Sequence, residues 1–204
     1  MRFVFHSPKT ASCSFGFAVI SLLLLLAISS ANSSLLAASW RLATPGNGGT
    51  PVSFTITSPS YPSRGNIPKK FTCDGEDVSP QMSWTDPPAG TKSFALLVDD
   101  PDAPVGNWNH WVLWNVPAES RGLAEGVRKD KQLADGSEQG ENDFRKIGYN
   151  GPCPPPGQVH RYYLKLFALD TKLSLKATVR KAELEAAMKG HILGQPEWMG
   201  RYGR

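Results

Sequence analysis

Tyr162 to Leu169 reads YYLKLFAL, and its alternation decides the fold class. Successive side chains of a strand point to opposite faces. Tyr162, Leu164, Leu166 and Ala168 therefore line one face, and Tyr163, Lys165 and Phe167 the other. Free of Gly and Pro, this segment is expected to be the longest strand. Three shorter segments join it. Val52 to Thr57 (VSFTIT) alternates and is rich in β-formers, while Ser93 to Val98 (SFALLV) and Trp111 to Val116 (WVLWNV) are apolar runs that read as buried strands. Between them, TDPPAG, DDPDAPVGN and NGPCPPPG are turn material. Short strands punctuated by Gly and Pro predict a mainly β, two-sheet antiparallel sandwich.

One C-terminal helix is expected. Thr178 is read as the N-cap of VRKAELEAAMKGHIL, with Leu184, Ala187, Met188 and His191 on one face and Gly194 as the stop. His191 is thereby a packing residue. Between Arg121 and Lys146 lie six basic and six acidic residues. Residues 117–146 are read as a long excursion with one helical turn.

The N-terminus is different material. Arg2 and Lys9 precede Phe15 to Ile28 (FGFAVISLLLLLAI), which carries no charge, and small residues follow. A helix of that run spans roughly 21 Å, short of the about 30 Å of a bilayer core. Residues 1–38 are read as a secretory signal peptide, cleaved after Ala31 or Ala38. The alternative is an uncleaved membrane anchor. Residues 39–51 are a linker, and residues 52–204 are the folded domain. The expected location is periplasmic or secreted.

The 204-residue chain is 40% hydrophobic and 20% charged, which excludes a disordered chain and a disulfide mini-scaffold. Its net charge of +4 invites a nucleic-acid hypothesis. Losing residues 1–38, with Arg2 and Lys9 and no acid, lowers that charge to +2. No run of like charges remains, so no nucleic-acid partner is expected. Cys73 and Cys153 stay as an even pair, either disulfide-bonded or two packed thiols.

Two polar clusters carry the chemistry. In Asp99-Asp100-Pro101-Asp102-Ala103-Pro104 a buried strand runs into carboxylates and prolines that cannot extend a ladder. Asp99 is read as capping its own loop. His110 follows Asp102 by eight residues, at a spacing that lets the loop fold back and bring them together. The second cluster runs from Gly157 to Tyr162 (GQVHRY), with His160 at a strand mouth behind a stiff wall, Gly151 to Pro156 (GPCPPP).

DPDAP with its downstream His, paired with GPCPPPG and HRY, resembles the phosphatidylethanolamine-binding protein family (the Raf kinase inhibitor-like proteins), in its bacterial branch. FTCDGEDVSPQMSW (Phe71 to Trp84) and AMKGHILGQPEWMGRY (Ala187 to Tyr202) extend the resemblance over nearly the whole mature chain. It implies a Greek-key sandwich with a small end pocket for phosphate-like anions. The pocket residues would be Asp100, Asp102, His110, His160 and Tyr162, with Pro104, Trp108, Gly151 and Pro155 at the rim. A small phosphate-like anion or phospholipid head group is the implied partner. A kinase or serine protease as an inhibited partner is the alternative, and the bacterial branch adds a homodimer. In this scheme each Asp orients and charges a histidine, and the histidines and Tyr162 contact the anion. No cofactor, metal or enzymatic activity is expected, since no HExxH or G-x-S-x-G spacing occurs.

Overall fold

The alternating segment is the long strand β7 (Val159–Leu169) of the computed structural model. The structure describes residues 53–176 and 178–204, so the leader and linker readings lie outside the described residues. Strand β3 (Ser93–Asp100) lies between β7 and β4 (Trp108–Pro117). Around these three, a six-stranded sheet is completed by β6 (Glu138–Gln139) on β4, and by β8 (Ile192–Gly194) and β9 (Glu197–Gly203) on β7. The second sheet is β1 (Thr55–Thr57), β2 (Met82–Thr85) and β5 (Gly122–Leu123), in that order. Every pairing within the two sheets is antiparallel.

Burial follows the two faces of the large sheet. Phe94, Leu96 and Val98 of β3 meet Leu164, Leu166 and Ala168 of β7 on the inner face, against Ile56, Met82 and Trp84 of the small sheet. On the outer face, Ala95, Leu97, Val112, Trp114 and Phe167 pack under Leu184 and Met188 of helix α1 (Lys181–Met188). All eight residues of β3 are buried.

The helix differs from its expected form. Thr178 has φ 76°, a left-handed conformation rather than the extended one of an N-cap, and Arg180 holds the cap position instead. The Glu183 carboxylate accepts the Arg180 N–H at 3.0 Å. At the other end, Lys189 is extended and Gly190 has φ +85°, a value glycine adopts without steric cost. The helix therefore stops before His191, and β8 and β9 follow it. His191 is half-exposed and paired with Asp170 at 2.7 Å, not packed on a helix face. Residues 117–146 contain β5, β6 and turns, with no helical turn.

Cys73 and Cys153 form a disulfide with Cα atoms 5.4 Å apart and a sequence separation of 80. Constraining the unfolded chain over a loop of this size is worth about 2–5 kcal/mol. The Cys73→Ser/Cys153→Ser double variant is expected to lose that much stability in urea unfolding. An unchanged midpoint and slope would contradict it.

Candidate functional site

The site grows out of the end of β3. Asp99 and Asp100 are both buried and point to opposite faces, and each has its own partners. Asp99 does not cap its own loop. Its carboxylate accepts from Lys181 at 2.9 Å, Lys165 at 3.1 Å and the Asn109 amide at 3.1 Å. Burial pushes the Asp99 pKa up, but the Lys181 charge and these hydrogen bonds outweigh it, and the net shift is downward. Asp100 faces the other way. Its Oδ1 accepts the Asp102 N–H at 2.9 Å, which shapes the loop, and its Oδ2 is 2.7 Å from Nδ1 of His160.

His110 reaches this end through a break in the ladder. Val98 pairs with Trp111 and Asp99 with Asn109, so His110 is an extra residue on β4. Strict alternation would send it to the helix face beside Val112. A bulge re-aims such a side chain, and here His110 lines the same cavity as His160. The amide of Asn109 serves the carbonyls around the bulge, donating to Val98 and Trp111 at 3.1 Å each. Nδ1 of His110 lies 2.7 Å from the Asn150 carbonyl. A carbonyl only accepts, so Nδ1 carries the proton and Nε2 of the neutral ring is an acceptor. Burial lowers the pKa of His110, outweighing the upward pull of that carbonyl and of Asp100.

Tyr162 sits between the two imidazoles. Its ring lies edge-on to His110, with centroids 5.3 Å apart, and stacks on His160 at 6.4 Å. Its hydroxyl is buried, with the Asp100 carboxylate and the Cys153 backbone as its polar neighbours. Burial, then the Asp100 charge, push its pKa up, so it remains a protonated donor. The wall opposite is fastened from behind. Asp77 accepts the Gly151 N–H at 2.6 Å, the Pro152 carbonyl accepts the Cys73 N–H at 3.1 Å, and the disulfide joins them. Gly151 sits so close to the Phe71 backbone that a Cβ would lie 2.2 Å from its carbonyl oxygen.

Asp102 is placed differently from the expectation. It meets Arg161, not His110, accepting the backbone N–H at 2.9 Å, Nε at 2.8 Å and Nη2 at 2.5 Å. The Arg161 hydrogen bonds hold its pKa at about 2. Of the two pocket histidines, only His160 thus has a carboxylate partner.

These elements enclose a cavity of about 220 Å³. Asp100, His110 and His160 supply its polar groups, and Pro104, Trp108 and Pro155 line it, while Gly151 stands behind the wall. Phe144 also lines it, edge-on to both His110 and Trp108. It is the one aromatic residue in the charged excursion, and that isolation is the signal sequence reasoning passed over. Among the described residues no group of three His, Cys, Asp or Glu side chains is arranged to hold a metal ion.

The family model described as phosphatidylethanolamine-binding protein matches residues 57–203. A UPF0098 protein of Methanothermobacter thermautotrophicus is 50% identical over 145 residues, covering 71% of this chain and 95% of the relative. One from Aquifex aeolicus is 45% identical over 151 residues, covering 73% and 88%. Among solved structures, the phosphatidylethanolamine-binding protein homologue CT736 of Chlamydia trachomatis superposes with a TM-score of 0.68 at 39% identity, covering 74% of this chain and 98% of its own. YbcL of E. coli, described as a new member of the mammalian family, gives 0.71 at 32% identity, covering 75% and 99%.

The state of His110 sets a pH dependence. Its pKa in the fold lies below the ordinary 6.5, so the unfolded chain takes up the proton first on acidification. Stability from this residue is complete above pH 6.5 and falls as the pH drops towards the folded pKa. Urea unfolding from pH 7.5 to 5.5 should show this loss, and His110→Asn should lack it. Equal slopes in both proteins would contradict it.

Proposed function

The chain belongs to the phosphatidylethanolamine-binding protein family, and from that premise we propose that its end pocket binds a phosphate-bearing ligand without transforming it. The observation that carries this reading is the buried Asp100–His160 pair in a cavity that His110 also lines. His160 presents Nε2 to the Gln158 side-chain oxygen at 3.0 Å, while Nδ1 meets Asp100. Asp100 holds one ring nitrogen, and the other points to the mouth of the strand. Gln158 is exposed at the strand mouth, and a phosphate oxygen entering the pocket takes the place of its amide oxygen. Tyr162 packs against both imidazoles and does not itself line the cavity.

The volume limits what enters. About 220 Å³ is below the roughly 300–1,000 Å³ of pockets for drug-sized ligands. A phosphoryl or head group fits, and lipid chains stay outside. No Ser or Thr lines the cavity, and the Cys153 sulfur is in the disulfide. Both facts favour binding over nucleophilic catalysis. The disulfide also supports an oxidising compartment and hence an exported protein.

The neutral His110 gives the binding a direction in pH. Its Nε2 accepts from a P–OH group, which the phosphate monoanion has and the dianion lacks. Inorganic phosphate measured by calorimetry should therefore bind most tightly near pH 5.5 and weaken towards pH 8.5. A flat or rising profile would sink this mechanism. At pH 6, His160→Asn is expected to lose roughly 10- to 100-fold in affinity, as for a charge-assisted hydrogen bond, and Gln158→Ala to gain affinity.

A further inference from the structure

On the face of β7 that turns away from the histidines, Arg161 pairs directly across the ladder with Arg201 of β9. Like charges opposite one another destabilise a sheet unless something answers them. Asp102 answers Arg161 with a two-pronged contact. No described carboxylate lies within 4.0 Å of Arg201. The same holds for Arg64, which stands beside it.

Arg64 is held there at a conformational cost. Its φ is 63°, a region that a long side chain rarely adopts. The backbone leaves it little freedom: Arg64 N–H donates to Met199 at 2.7 Å, and Arg201 N–H donates to Gly65 at 2.8 Å. A strained residue fixed on both sides, in place of glycine, points to a use for its side chain. Arg64, Arg161 and Arg201 wall a cleft of about 290 Å³. Tyr163 and Met199, also paired across the ladder, give it a partly apolar floor. Glu197 is the one carboxylate in the lining, and with Asp102 on Arg161 the local charge is three positive against two negative.

We propose that this cleft is a second anion site, joined to the histidine end of β7 by an open depression that His160, Arg161 and Arg201 border, and that it takes a phosphomonoester on a small organic body. Guanidinium forks match phosphate oxygens in pairs. A dianion answers the Arg64 and Arg201 charges together, and Tyr163 and Met199 receive the body of the ligand. Arg161 is committed to Asp102, so it borders the site as a fixed wall.

The test is an amide-resolved NMR titration with phenyl phosphate at constant ionic strength. In the wild type, shifts are expected at Arg64, Gly65, Gly200 and Arg201, as a set separate from those around His110 and His160. Arg201→Gln and Arg64→Gly should each weaken the cleft set by roughly 10- to 100-fold, leaving the histidine set unchanged. Glycine relieves the φ of 63°, so Arg64→Gly should melt at or above the wild-type temperature. That result excludes misfolding as the cause of the loss. Cleft amides that stay still in the wild type, or that titrate equally in both variants, would overturn the inference. So would loss of the cleft set in His160→Asn. Failure of the histidine pocket alone reads differently: only the cleft set moves, and the arginine variants still abolish it.

Discussion

Strand β3 is buried on both faces, and that burial dictates the chemistry at its end. A carboxylate removed from water is costly unless it is paired and hydrogen-bonded. The chain places two in succession there, and alternation sends them to opposite faces. Asp99 meets Lys165 of the neighbouring strand and Lys181, the first residue of α1. It ties the helix to the sheet. Asp100 has no lysine on its side. It meets His160, whose ring can share a proton with a ligand as well as with the carboxylate. One interior constraint thus produces a structural clamp on one face and a binding group on the other.

The same strands show what a sequence can reveal. The alternation from Tyr162 to Ala168 gives the inner and outer faces of β7 correctly, because its period of two runs without interruption. The apolar run of β3 is legible for the same reason. His110 is a different case. Its position in the pocket depends on one extra residue in β4 opposite Val98 and Asp99, and pattern counting across the bulge assigns it to the wrong face. Nothing in the residues Trp108 to Trp111 announces that break. Asn109 accommodates it with three hydrogen bonds at 3.1 Å, yet by type it is an ordinary turn residue. The helix end follows a similar logic. The apolar spacing from Leu184 continues past Gly190, but a left-handed glycine ends the helix before the last apolar position is used.

The proline wall needs outside support, and its support explains a distant part of the chain. Proline has no N–H to give to a ladder, so Pro152 and Pro154 to Pro156 cannot be secured as a strand. The segment around Phe71 to Asp77 holds the wall instead. Phe71 offers its carbonyl to the Tyr149 hydroxyl at 2.7 Å, Cys73 gives the disulfide, and Asp77 takes the Gly151 N–H. The early motif FTCDGEDVSPQMSW therefore supplies the footing of the pocket, although none of its residues lines the cavity. Sequence spacing alone could not join positions 80 residues apart.

Asp102 decides where the pH sensitivity of the pocket can reside. Its contact with Arg161 anchors the loop from Pro101 to Asn107 against β7, where Asp102, His160, Arg161 and Arg201 border one depression. With a pKa of about 2, that carboxylate is charged at any physiological pH, and Arg161 is always a cation. The loop anchor is therefore constant across that range. His110 is neutral and donates inward to the Asn150 carbonyl, while His160 faces acceptors on both sides. Two histidines in one cavity thus perform unlike tasks. One is an acceptor set by burial, and the other is held by a carboxylate.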